Sequence, residues 1–255
     1  LKTSISNIET IDYVCYNFAF AKAKHKKAKQ QKAQYLYRMT QQQIIDQTVQ
    51  FVKTQLQNAE GGHDWFHIER VWKNAKLIAQ DEKCDRGIVE LGALLHDIAD
   101  SKFHDGDETL GPQVARDFLE SLEVPKDVME HVANIIKYIS YKGGHQSKDF
   151  TSIELDIVQD ADRLDAIGAI GVARTFNYGG FKNRAIYDPN IPADLDMTAA
   201  QYKKSTAPTI NHFYEKLLLL KDLMNTKTGK KIAQQRHDYM QGFLDQFYAE
   251  WNGGK

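Results

Sequence analysis

From residue 41 to Trp251, apolar side chains recur at intervals of three and four, and this period restricts the fold more than any other feature of the chain. Such spacing buries one stripe of a helix, whereas a half-buried strand alternates at every second residue. No convincing alternating stretch is present. The pattern predicts helices over about 41–59, 64–82, 86–100, 109–121, 125–140, 152–176, 199–225 and 228–252, and hence an all-α helical bundle with additional C-terminal helices. Gly61-Gly62, Gly143-Gly144, Gly179-Gly180 and the loop from Pro189 to Pro192 mark the expected chain reversals. Asp64 is placed to cap the helix carrying Trp65, Ile68, Val71 and Trp72, and Pro125 suits the first turn of the helix leading to Ile135, Ile136 and Ile139. In the last helices, Phe213, Leu217, Leu220, Leu223, Phe243, Phe247 and Trp251 have packing spacings, which predicts a cover for the bundle or a homodimer contact.

Composition narrows the function. A chain of 255 residues can bury a full helical core. Cys15 and Cys84 form no CxxC pair, which argues against a disulfide framework or a cysteine zinc site and favours a reducing, cytoplasmic setting. No apolar run approaches the roughly 18 to 20 residues that cross a bilayer, so no membrane partner is expected. Net charge is −1, but residues 1–38 hold eight basic and two acidic groups, leaving 25 basic against 32 acidic elsewhere. That acidic remainder disfavours a nucleic acid polymer as partner, while a small anionic substrate needs only a local basic pocket. The first methionine is Met39, and the preceding segment carries the lysine cluster Ala21 to Lys29. It reads as a dispensable basic extension over 1–38, the alternative being a basic surface helix; a single domain is expected over 39–255, with its motif-bearing core at about 41–180.

His-Asp occurs at His63-Asp64, His96-Asp97, His104-Asp105 and His237-Asp238, so the dipeptide alone carries little information. Only His96-Asp97 lies in a markedly apolar helical stretch, Leu91 to Ala99, where two adjacent polar groups are costly without a partner. A bound cation is one such partner; hydrogen bonds near a helix end are the other. His67 sits on an amphipathic helix with Ile68, Val71 and Ala75. His63 and His67 are four apart, but the intervening residues lack the glutamate of an HExxH zinc helix, and Gly61-Gly62 with the Asp64 cap puts His63 in the preceding loop. In the run from Gln159 to Arg174, Asp162 and Asp165 can share a helix face while Asp160 points elsewhere, and Ala161, Ala166, Gly168 and Gly171 permit close approach of another helix.

Together these segments resemble the HD-domain superfamily of metal-dependent phosphohydrolases, in which a histidine, an adjacent His-Asp pair and a distant aspartate converge on a metal. The matching residues are His67, His96, Asp97 and Asp162, in the family's order, and the neighbouring text is similar over about 41–180. The resemblance implies one divalent ion, manganese first, with magnesium, iron, nickel or zinc as alternatives. Two imidazoles and two carboxylates suit such an ion and leave coordination positions open. The chain looks most like small bacterial hydrolases of the YpgQ type, which implies nucleotide pyrophosphatase chemistry on a (d)NTP. The alternatives are a nucleotide monophosphatase, a cyclic-nucleotide or alarmone phosphohydrolase, and a metal- and nucleotide-binding sensor. Asp100, four residues after His96, is a candidate for moving protons. Arg70, Lys102, Lys142, Arg163 and Arg174 flank the motifs and are candidate phosphate contacts, each with an alternative reading as a surface charge or an ion-pair partner of Asp100, Asp107 or Asp165. His131 and His145 raise the question of a second metal; their surroundings favour one metal, with His131 a pocket or core residue.

Overall fold

A computed structural model describes residues 41–57, 64–99, 109–139 and 149–254, and among them the chain is helical with no strand. It forms two compact units, Leu1–Gln47 and Thr48–Lys255. The first contributes only the start of helix α1 (41–55) to the described residues; the basic extension expected over 1–38 lies outside them. The second holds α2 (Trp65–Ile78), α3 (Arg86–Leu95), α4 (Leu110–Ser121), α5 (Lys126–Tyr138), α6 (Ile153–Asp165), α7 (Gly168–Phe181), α8 (Ala199–Lys204), α9 (Asn211–Glu215), a 3-10 helix (Leu217–Leu223) and α10 (Lys227–Trp251).

Three helices make the core that positions the site, α2, α3 and α6, each packed against the other two. On α2, Ile68, Val71, Ala75 and Ile78 recur at helical spacing and are fully buried. They meet the buried Leu91, Leu94 and Leu95 of α3 and Ile157, Val158, Ala161 and Leu164 of α6 in one apolar layer. Helix α5 closes on α3 across Gly92, where a Cβ would stand 3.1 Å from Ile135 Cδ1. Asp64 caps α2 as expected, its carboxylate accepting the His67 amide at 3.0 Å, so the cap also fixes the turn that carries His67.

Four boundaries depart from the periodicity. Pro125 stands at the cap of α5 with ψ 139°, and Lys126 is the first helical residue. Helix α3 ends at Leu95, which places His96 and Asp97 in the turn that follows. The helix expected over 152–176 is two: α6 stops at Asp165, Ile167 is extended, and Gly168 starts α7 at φ 77°. That φ is open to glycine, and a Cβ there would also meet Arg236 Cγ at 2.9 Å. The stretch expected as one helix over 199–225 is broken into α8, α9 and the 3-10 segment; Pro208 lacks an amide proton and disfavours helical geometry in the residue before it.

Helix α10 covers α6, α7 and the 3-10 segment. Its start is tied to α6 by Asp160, a fully buried carboxylate that accepts from the Asn225 amide at 2.8 Å, the Thr226 amide at 2.8 Å and the Thr226 hydroxyl at 2.7 Å. Gly229 makes room for it, since a Cβ there would stand 2.3 Å from Asp160 Oδ2. Among the described residues, no helix is long and apolar enough to cross a membrane.

Candidate metal centre

His67 on α2, His96 and Asp97 just past α3, and Asp162 on the last turns of α6 come together where these three helices meet. Ligand atoms of His67, His96 and Asp162 all lie within 4.8 Å of one another. Asp97 Oδ2 joins this trio at 3.5 Å from His67 Nε2 and 3.7 Å from His96 Nε2, and Asp162 Oδ1 stands 3.6 and 3.8 Å from the same two nitrogens. These separations are long for hydrogen bonds and lie in the range expected between ligands sharing one ion at about 2.0–2.2 Å.

The protonation pattern of the two imidazoles fits a cation. His67 Nδ1 donates to Asp165 Oδ2 at 2.8 Å and His96 Nδ1 donates to the Ala93 carbonyl at 2.9 Å, both partners being acceptors only. In each neutral ring the Nε2 lone pair is thereby left facing the shared space. The His96 Nε2 atom is buried and has no hydrogen-bond partner among the described residues. Two carboxylates and two Nε2 atoms facing one space are a donor set that suits a divalent ion. The histidine side chains are 3% and 1% exposed and that of Asp162 is 41% exposed, so Asp162 is the most solvent-accessible of the three.

The carboxylates around His67 also shift its titration. Burial by itself would lower its pKa, but the carboxylates of Asp165, Asp97 and Asp162 outweigh it and raise the value from 6.5 to about 9. In the metal-free chain, the stability contributed by the protonated His67 is fully present below pH 6.5 and is lost as pH rises through about 9. The stability advantage of wild type over His67→Gln, read from denaturant midpoints without metal, is therefore expected to shrink across that window. A constant difference would show that His67 does not carry the shifted proton.

The three arginines proposed from the sequence as phosphate contacts or ion-pair partners have these protein partners. Arg70 grips Asp165 with Nε at 2.6 Å and Nη2 at 3.0 Å, and Arg174 Nη1 reaches the same carboxylate at 2.5 Å. Arg163 turns away from the centre to donate to the Leu223 carbonyl at 2.6 Å. Asp165 is 1% exposed; burial opposes its ionisation, but His67, Arg70 and Arg174 hold its pKa well below the usual carboxylate range. The sequence offered Asp165 as an ion-pair partner for the flanking arginines, which is the reading that Arg70 and Arg174 follow, but it did not reveal the bond to His67. His131 lies apart from the centre, its Nε2 2.9 Å from Ser152 Oγ and 3.4 Å from Glu154 Oε2. The candidates Asp100, Lys102 and Lys142, together with His63, His104 and His145, lie outside the described residues.

Residues 65–167 match the family described as HD domain. Over 204 residues the chain is 38% identical to the uncharacterized protein YpgQ of Bacillus subtilis (strain 168), covering 80% of this chain and 91% of that protein. Among solved structures, an HD-superfamily hydrolase from Bacillus thuringiensis superposes with a TM-score of 0.68 at 46% identity, covering 84% of this chain and 99% of that one. Bacillus subtilis YpgQ in complex with ADP superposes with a TM-score of 0.66 at 34% identity, covering 83% and 96% respectively.

Proposed function

The chain belongs to the HD-domain family of metal-dependent phosphohydrolases, and on that premise we propose that it cleaves a nucleoside triphosphate to the monophosphate and pyrophosphate, with one divalent ion, manganese first, held by His67, His96, Asp97 and Asp162. The observation that carries the metal assignment is the pair of imidazoles anchored through Nδ1, whose Nε2 atoms converge with two carboxylates. When bound there, a divalent ion supplies Lewis-acid polarisation of a phosphoryl oxygen and a hydroxide-like nucleophile near neutral pH. A nucleotide is supported by the ADP in the YpgQ complex, and cleavage at the α-phosphorus by the sequence resemblance to YpgQ-type hydrolases.

In this reaction a water oxygen bonds to the α-phosphorus, the bond to the bridging oxygen breaks, and pyrophosphate leaves. The four side chains would fix the position of the ion's positive charge, so that little reorganisation would accompany charge development. Asp162, the most exposed of them, borders the approach path. We assign proton transfer to Asp100 and phosphate contacts to Lys102 and Lys142, which flank the motifs in sequence. Arg70 and Arg174 serve Asp165, and Arg163 braces the 3-10 segment.

Product analysis tests the reading. Manganese-loaded protein incubated with a nucleotide panel is expected to release pyrophosphate and nucleoside monophosphate in equal amounts from triphosphates. Orthophosphate released from monophosphates would overturn the pyrophosphatase assignment. Tight nucleotide binding with no hydrolysis under manganese, magnesium, nickel or iron would identify a sensor instead.

A further inference from the structure

Asp165 is not one of the four converging side chains; its carboxylate meets His67 at Nδ1 and joins α2, α6 and α7 there. We propose that Asp165 is a positioning residue for His67: it keeps the proton on Nδ1 and fixes the ring so that Nε2 presents its lone pair toward Asp97 and Asp162. The inference rests on the reading of His67 as a metal ligand.

A carboxylate accepts and cannot donate when ionised, so its 2.8 Å contact requires the His67 proton to be on Nδ1. It also makes the imidazole a stronger electron donor at Nε2 than a neutral acceptor does. His96 has only the Ala93 carbonyl in that place, so the two histidines of the centre are tuned differently. A charged oxygen pair this deeply buried is held in place only if its own position is fixed. Arg70 does this with a fork, Nε on Oδ1 and Nη2 on Oδ2, which sets the plane of the carboxylate. Arg174 completes it from the far side, bonding Oδ2 and lying 3.3 Å from the Asp165 carbonyl oxygen.

The break between α6 and α7 brings Arg174 there. With Gly168 at φ 77° the chain turns back, and Gly171 packs so closely that a Cβ would lie 2.2 Å from the Ala166 carbonyl oxygen. Arg236 on α10 then locks the end of α6 to α2, donating to the Leu164 carbonyl at 2.5 Å and to Asn74 Oδ1 at 3.1 Å. The run from Asp165 to Arg174, which includes no residue of the metal-binding quartet, thus forms the rear support of His67.

The test compares manganese affinity by calorimetry for full-length wild type, Asp165→Asn, Asp165→Ala and His67→Ala, with kcat and KM measured alongside. Asp165→Asn keeps an acceptor and loses the charge, and is expected to weaken manganese binding by about 10-fold; Asp165→Ala loses both, by about 100-fold. Both are expected to lower kcat at saturating metal with little change in KM. Should the variants fail to fold, histidine nitrogen NMR of zinc-loaded wild type decides: the proposal requires the His67 proton on Nδ1, and a proton on Nε2 overturns it. If His67→Ala loses the metal while the Asp165 variants bind it as wild type does, the positioning role fails and the ligand assignment stands. If His67→Ala binds manganese normally, the ligand assignment itself fails.

Discussion

Replacing Asp97 by alanine is expected to abolish divalent-ion binding and hydrolysis together, with turnover falling roughly a thousand-fold or more. The Asp97 side chain is 17% exposed and holds its Oδ2 within 3.7 Å of both Nε2 atoms, so it faces the shared space rather than solvent. Without it, one carboxylate remains against two neutral imidazoles, and that carboxylate, Asp162, is 41% exposed and partly compensated by water. Loss of half the anionic charge in a buried site removes the main attraction for a divalent ion. The fold is expected to survive, because Asp97 lies in the turn beyond α3 and alanine is tolerated there. Calorimetric titration with manganese beside pyrophosphate-release assays checks this, with circular dichroism as the control for folding. Metal-dependent turnover near the wild-type rate would refute the assignment of Asp97.

The second large effect concerns stability. Asp160→Ala is expected to destabilise the chain by about 3–5 kcal/mol, read from urea denaturation, because it removes a charged acceptor serving three donors. The amides of Asn225 and Thr226 have no helical carbonyl to turn to at the start of α10, and the Thr226 hydroxyl also caps that helix by accepting from Gly229. The space left behind is closed in by Gly229 and cannot be refilled without moving α10. Asp160 and Asp162 lie on different sides of α6, so the clamp steadies from behind the helix that presents Asp162. A loss below about 1 kcal/mol would show that water replaces the carboxylate and that the clamp is not structural.

The contrast between Asp160, Asp162 and Asp165 shows what a sequence like this discloses. Helical spacing separates the first from the other two, and an apolar context singles out His96-Asp97 among four identical dipeptides, because burial of two polar groups demands a partner. Those arguments are local and need no fold. The partner of His67 Nδ1 lies 98 residues away and the partner of Arg70 lies 95 away, and no local rule reaches across such distances. Charge near a motif likewise does not say whether a guanidinium faces substrate or a buried carboxylate; Arg70 and Arg174 face the carboxylate. The break at Ala166-Ile167-Gly168 was hidden for a different reason. The apolar period continues through it, and glycine and alanine are compatible both with tight helix packing and with a turn. Nor does the period mark the end of α3 at Leu95, since Ile98 and Ala99 continue the stripe into the turn that carries Asp97.

Four side chains from three segments are proposed to hold one ion. A crystal of the manganese-loaded chain, measured at the manganese edge, tests it without reference to substrate. A single anomalous peak is expected within coordination distance of His67 Nε2, His96 Nε2, Asp97 and Asp162. A peak placed elsewhere, or no peak among these four under saturating manganese, would contradict it.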